Sequence, residues 1–327
     1  MRRQRRRRPR RPEAQACCQS RGLGVATTTA HRRSVTAIDP PPISSAPRPG
    51  RRVRLVALDL DGTCIDAQLR LHPRIRDAVR ATVAGGTPVV IASGRMYRST
   101  LPWAQELRVR EPLICYQGAV MRELPEAGDP ELDGVPLGRL LSEEGVDAAT
   151  AASAVRRART GGWHRQAYIG ERLVCEEDRP EAHLYAGIAR VPIHFVNDLE
   201  HAVSQGSTKL VCVVTDPAEA DRCESEIAAA LGPAARVTRS LPPFVEVVNP
   251  RAGKGPALRR LCRRHGVDPA DAVAVGDAPN DLDMLELCGF AVAVHTAPTA
   301  VKRSADALCG APEEGGVADV LEALDLA

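Results

Sequence analysis

No stretch of the chain approaches eighteen consecutive apolar residues, which argues against a membrane-spanning helix. Nor do any two of the ten cysteines (17, 18, 64, 115, 175, 212, 223, 262, 288 and 309) form a C-x-x-C pair with metal-ligand spacing. Several sit inside apolar runs such as "LVCVV", the pattern of buried free thiols in a reducing compartment, and a cytoplasmic location is expected. Lysine is scarce: Lys209, Lys254 and Lys302 stand against 41 arginines. No internal repeat stands out.

Charge is unevenly placed. Residues 1–50 carry twelve arginines against Glu13 and Asp39, a balance of +10, whereas the whole chain totals +3. The remainder is therefore mildly acidic at −7, which argues against a nucleic-acid-binding body. The leading "MRRQRRRRPRRPEAQACCQS" cannot bury a core, and dispensable disorder is the expectation for it. Such an Arg run could otherwise bind nucleic acid or anionic lipid, serve as a targeting leader, or precede the true start of translation. "DPPPISSAPRPG", residues 39–50, reads as a stiff linker.

What is present begins with "VALDLDGTCID", residues 56–66, where two aspartates follow an apolar run. In an extended chain, residues two apart point the same way, so Asp59 and Asp61 face one pocket and Leu60 the other side. Carboxylates that close resist joint ionisation unless a cation neutralises them or one holds a proton. The stretch suggests either a metal site or a division of labour between two carboxyls. A calcium loop of the EF-hand kind is excluded, because the sixth and twelfth positions counted from Asp59 are Cys64 and Arg70.

At 327 residues the chain has room for one large domain or two modest ones. "VRLVALD", "TPVVIAS" and "PLICY" read as buried parallel strands, separated by a helix after Pro73 that ends at Gly85-Gly86 and a second over 98–108. Strand-helix alternation means a doubly wound α/β sheet, whose ligands sit at the carboxyl ends of the strands. Asp59 and Ser93 fall at such ends. Residues 125–240 change character, with a helix over 143–159 and a hairpin around Gly170, and are expected to form an inserted α+β unit. From about 244 the alternation resumes: "FVEVVNP", a helix from near Lys254, "DAVAVGD" and "FAVAV" as the last strand, then helical segments near 298–308 and 315–325. The expected domains are therefore 51–124 with 241–327, and 125–240 between them.

Four motifs now fall at strand ends or helix starts of one sheet: "DLDGT", "IASGR", "GKGPAL" and "GDAPND". In this order they resemble the haloacid dehalogenase (HAD) superfamily of phosphohydrolases, in its Cof-like branch with a type IIB cap, over about residues 53–327. Asp61 and Ser93 are 32 residues apart, too few for a cap, whereas 161 residues separate Ser93 from Lys254. The resemblance implies a Rossmann-like core, a cap in the second position, and Mg2+-dependent hydrolysis of small soluble phosphate monoesters such as sugar phosphates, FMN or pyridoxal phosphate. A phosphotransferase or mutase using the same chemistry, or a phosphometabolite-binding protein on a retired scaffold, are the alternatives.

The roles implied are specific. Asp59 is the nucleophile that becomes an aspartyl phosphate, and Asp61 protonates the leaving oxygen and then activates water. Mg2+ is held by Asp59, Asp277 and, through its backbone carbonyl, Asp61. Leu60, Ser93, Gly94, Lys254 and Asn280 surround the phosphate, with Lys254 a compact point charge. Asp281 either orients Lys254 and metal-bound water or caps a helix, and Asp283 is expected to be only first-turn charge. Two departures stand out: Ser93 in place of the commoner Thr, and Gln117 in "CYQGA" where relatives usually have Asn. The second bears on specificity. Trp163, His164, Arg165 and Tyr168 either touch substrate or, more plainly, pack the hairpin on its helices. Cys64 is expected in the core.

Overall fold

The computed structural model describes residues 39–46, 48–239 and 242–326. The Arg-rich run and the disorder expected of it lie outside the described residues. So do Cys17 and Cys18; the eight cysteines that are described are all buried and free.

Leu55–Leu58, Ala272–Gly276 and Phe290–Val294 are buried at every position. Strands apolar on both faces need cover on both sides, and alternate residues here enter two different cores. Val56 and Leu58 pack with Ile75 and Val79 of the helix Pro73–Ala84. Leu55 and Ala57 pack with Leu258 and Leu261 of the helix Lys254–His265. The result is a doubly wound parallel sheet in the order Ala307–Cys309, Phe290–Val294, Ala272–Gly276, Leu55–Leu58, Val89–Ile91.

Both edges of this sheet differ from expectation. Ala307–Cys309 is a further parallel strand where a helical segment was predicted, so "FAVAV" is not the last. It is itself extended by a bridge from Pro42 to Leu308, with the Ile43 amide donating to the Leu308 carbonyl at 2.7 Å. Part of the expected linker is therefore packed on the core. On the far edge an Ala92–Ile114 bridge adds Leu113–Cys115, which continues antiparallel into Val120–Arg122 and Leu140–Glu143. The helix predicted to start at 143 starts instead at Ala148, where the Asp147 carboxylate accepts from the Thr150 amide at 3.0 Å.

The second sheet runs Ile193–Phe195, Arg172–Cys175, His164–Ile169, Lys209–Val213, Phe244–Val248, Arg236–Arg239, antiparallel except for its first pair. Leu210, Cys212 and Val245 face the helices Ala148–Thr160 and Pro217–Leu231. Val211, Val213 and Phe244, one residue out of phase, face the core shared with the first sheet. Phe244–Val248 was expected in the first sheet; it pairs with Lys209–Val213 instead, so the chain leaves the second sheet after Val248 and not at 240. Apolar content marks a segment as a buried strand, but only long-range pairing decides which sheet it joins.

Candidate active site

Asp59 follows directly on Leu58 and is 4% exposed. Its Oδ1 accepts from Lys254 Nζ at 2.5 Å, and the same ammonium donates to Asp281 Oδ1 at 2.6 Å. Lys254 is wholly buried at the first turn of its helix. Burial alone would lower its pKa, yet Asp281 and Asp59 overturn that and hold it above the usual lysine range. Asp59 is pushed well above the usual carboxylate range by burial, against the attraction of Lys254 and with the repulsion of Asp281, Asp277 and Asp61.

The loop after Ala272–Gly276 brings the third carboxylate. Asp277 Oδ1 accepts from Thr63 Oγ1 at 3.0 Å, and burial with the charge of Asp281 pushes its pKa up to about 6. Asp281 takes the Lys254-holding role, and its side chain makes no cap hydrogen bond to the helix Leu282–Leu287 that it precedes. One oxygen holds Lys254, while Oδ2 accepts from the amides of Asp277 and Ala278, each at 3.0 Å. Oxygens of Asp59, Asp277 and Asp281 lie within 4.8 Å of one another. An all-oxygen acidic set suits a hard divalent cation. With Asp281 committed to Lys254 and two amides, Asp59 and Asp277 are the carboxylates available to hold it.

Two glycines make this geometry possible. Gly62 has φ +80°, and a Cβ there would stand 2.4 Å from Asp277 Oδ2. Gly118, at φ +86°, has the Gly253 carbonyl oxygen 2.0 Å from where its Cβ would be, so the loop before Lys254 rests on bare backbone.

Asp61 does not join the carboxylate cluster. Its side chain is paired with Arg95, whose Nε lies 2.7 Å from Oδ2 and Nη2 2.5 Å from Oδ1. Arg95 is largely buried and also donates to Ser99 Oγ at 3.3 Å and to the carbonyl of Ile188, in the insert, at 3.2 Å. It was quoted within "IASGR" without a role. Leu60 turns its side chain into the core, which leaves only its backbone for a ligand. Ser93 is fully buried, and its hydroxyl accepts from the Arg95 amide at 3.1 Å. Asp283 lies in the first turn of the helix Leu282–Leu287 as predicted, and beyond that it accepts from the Gly255 amide at 3.0 Å, which ties the start of the Lys254 helix to this one.

Asp59, Asp61, Gly94, Asp277 and Asn280 all line one cavity of about 120 Å³. Its roof comes from Tyr185, Ile188 and Ala189 at the end of the helix Pro180–Ala189, and from Phe244 and Glu246. Sequence reasoning missed all five. The signal was present in "FVEVV": a lone carboxylate on the same face as Phe244, in a strand otherwise apolar. Gln117, the flagged departure, lies at the centre. Its Oε1 accepts from Asn280 Nδ2 at 2.7 Å and its Nε2 donates to Glu246 Oε2 at 3.3 Å. Trp163, His164, Arg165 and Tyr168 do not line this cavity; Trp163 packs against Arg157 and Arg222, and Arg165 pairs with Glu177. Cys64 is buried in the core as expected.

A family model for haloacid dehalogenase-like hydrolases matches residues 56–321. Among solved structures, a haloacid dehalogenase-like hydrolase from Bacteroides thetaiotaomicron superposes with a TM-score of 0.74 at 27% identity, covering 83% of this chain and 99% of its own. A phosphoglycolate phosphatase of Methanopyrus kandleri is 28% identical over 83% of this chain and 96% of its own length. The 5-amino-6-(5-phospho-D-ribitylamino)uracil phosphatase YwtE of Bacillus subtilis is 23% identical over 83% and 98%, respectively.

Proposed function

Because the chain belongs to the haloacid dehalogenase-like hydrolases, we propose that it is a magnesium-dependent phosphatase of small phosphate monoesters, working through an aspartyl phosphate on Asp59. The observation that carries this reading is the buried Asp59–Lys254–Asp281 chain beside Asp277 at the carboxyl end of the central strand. A lysine this deeply buried fixes the nucleophile's carboxylate and brings positive charge to where phosphate oxygens arrive.

Asp59 attacks phosphorus as the bond to the leaving oxygen breaks, and Asp61 donates a proton to that oxygen. Water then attacks the aspartyl phosphate, Asp61 takes its proton, and the bond to Asp59 breaks to release inorganic phosphate. For either transfer, an Asp61 oxygen has to turn from Arg95 toward the substrate. Asp59, Asp277 and the Asp61 carbonyl would hold magnesium, which when bound would supply positive charge against the repulsion between the carboxylates and the phosphate. Gly94 and Asn280 flank the phosphate, with the Leu60 backbone beneath it, and Ser93 supports the turn by holding the Arg95 amide. The inserted unit acts as a cap that excludes water. At about 120 Å³ the cavity is smaller than the roughly 300–1,000 Å³ of ordinary ligand pockets, so the leaving group is small or the cap opens to admit it. A sugar phosphate or a small cofactor phosphate fits either case.

The test is release of inorganic phosphate from a panel of monoesters, with magnesium and with chelator. Magnesium-dependent release supports the reading. Transfer to a second sugar with no net release would make the protein a phosphotransferase or mutase, and binding without turnover would make it a binding protein.

A pH dependence follows from Asp277. Its pKa in the fold, about 6, lies above the ordinary carboxylate value of 3.8. Between those two values the folded metal-free protein binds more protons than the unfolded chain, so this group's contribution to stability falls as pH rises through that window and is level above it. A metal needs the ionised form. Magnesium affinity is therefore expected to weaken as pH falls below about 6, by up to about tenfold per unit. Calorimetric titration at pH 5, 6 and 7.5 checks this; affinity unchanged at pH 5 would place the metal away from Asp277.

A further inference from the structure

The part of the cavity wall that comes from Phe244–Val248 carries a charge that the proposed chemistry does not use. Glu246 is 1% exposed and lines the cavity beside Phe244, Tyr185 and Gln117. Its counter-charge is Lys209, fully buried, whose Nζ lies 2.9 Å from Glu246 Oε1. That ammonium is set back from the cavity. It also donates to the Gly94 carbonyl at 3.2 Å and stands 5.2 Å and 5.9 Å from the ring centres of Tyr168 and Tyr185. The pair is neutral as a whole but presents its negative end to the cavity. Among the described residues lining that space, Arg95 is the one base, and Asp61 already pairs with it.

We infer that Glu246 is a specificity-determining residue that selects phosphate monoesters whose leaving group is uncharged or cationic, and rejects those bearing a second anion. This rests on the phosphatase reading above and deepens it. A hydroxyl or ammonium on the leaving group meets Glu246 as a donor meets an acceptor. A carboxylate or second phosphate meets a like charge in a partly enclosed space, and the one lining cation, Arg95, is shared with Asp61. Phe244 and Tyr185, whose rings are 5.2 Å apart, supply the apolar surface for the carbon skeleton.

The test uses two esters that differ only in one group: glycerol 3-phosphate, with a terminal alcohol, and 3-phosphoglycerate, with a carboxylate there. Each is ranked by its competition with hydrolysis of p-nitrophenyl phosphate by the full chain. The alcohol is expected to compete at least about tenfold more strongly, the scale of one like charge a few ångströms away. Glu246→Gln uncovers Lys209 and is expected to erase or reverse the preference. The double variant Lys209→Met/Glu246→Gln, which leaves no unpaired buried charge, is expected to bring the ratio near one without reversal, and it decides the matter if the single variant does not fold. Equal competition from the two esters in the unaltered protein, or a preference that survives in the double variant, overturns the inference. Failure to hydrolyse p-nitrophenyl phosphate at all overturns the phosphatase reading instead, and the filter falls with it.

Discussion

Asp59→Asn is expected to lower turnover of any phosphate monoester by at least about 10⁴-fold, the scale of removing a nucleophile, while the metal-free protein stays as stable or becomes more so. The two halves have one cause. Burial raises the pKa of Asp59, so keeping it ionised costs folding free energy at neutral pH. The sign is that of a raised carboxylate: its contribution to stability is best at low pH and declines as pH rises past the ordinary carboxylate range. Asparagine keeps the shape and removes the charge, and Lys254 keeps Asp281 as a partner at 2.6 Å. Magnesium reverses the ranking, because it binds the native fold and gains more from Asp59 than from an amide. Thermal melts with and without magnesium, beside phosphate release, check both halves. Turnover retained within tenfold would remove Asp59 from the mechanism.

Lys254→Met is expected to destabilise the metal-free fold by about 3–5 kcal/mol near pH 7.5, the usual cost of stripping one partner from a buried ion pair. That is a large share of the roughly 5–15 kcal/mol that a domain possesses. The lysine pKa is raised in the fold, so its stabilisation is fully present below the unfolded lysine value and undiminished at neutral pH. Without it, Asp59 and Asp281 share a buried space with no counter-charge. Protonation relieves them, so the deficit is expected to shrink at pH 5, and magnesium is expected to recover part of it at pH 7.5. Urea denaturation at both pH values measures this; an equal deficit at pH 5 and 7.5 would mean that the loss is one of packing and not of charge.

The carboxylate–lysine end of the site was legible because its residues sit where local rules are strict. A carboxylate directly after a buried parallel strand, a glycine that must adopt positive φ beneath Asp277, and a rare lysine opening a helix are all decided within a few residues of sequence. The roof was hard to place for the opposite reason: the lone carboxylate in "FVEVV" marks Glu246 as unusual but does not say which cavity it lines. Phe244 and Glu246 reach the cavity because Phe244–Val248 pairs with Lys209–Val213 more than thirty positions earlier, and Tyr185 and Ile188 because the helix Pro180–Ala189 packs on the same sheet. No local signal distinguishes Phe244–Val248 from a strand of the first sheet. The same holds at the edges. Ala307–Cys309 is three residues long, too short for periodicity to separate strand from helix, and Pro42 meets Leu308 across the length of the chain. Arg95 lay within a quoted motif, but nothing in the sequence says that its guanidinium turns to Asp61 and to the carbonyl of Ile188.

The central claim is that phosphate passes through a covalent bond to Asp59, and it can be seen directly. The protein is acid-quenched during turnover of its best ester, treated with borohydride, which reduces an aspartyl phosphate to homoserine, and digested for mass spectrometry. Homoserine at position 59, present with magnesium and absent with chelator, is the predicted result. Phosphate released in the same interval with Asp59 unreduced, or with reduction at another aspartate, would contradict it.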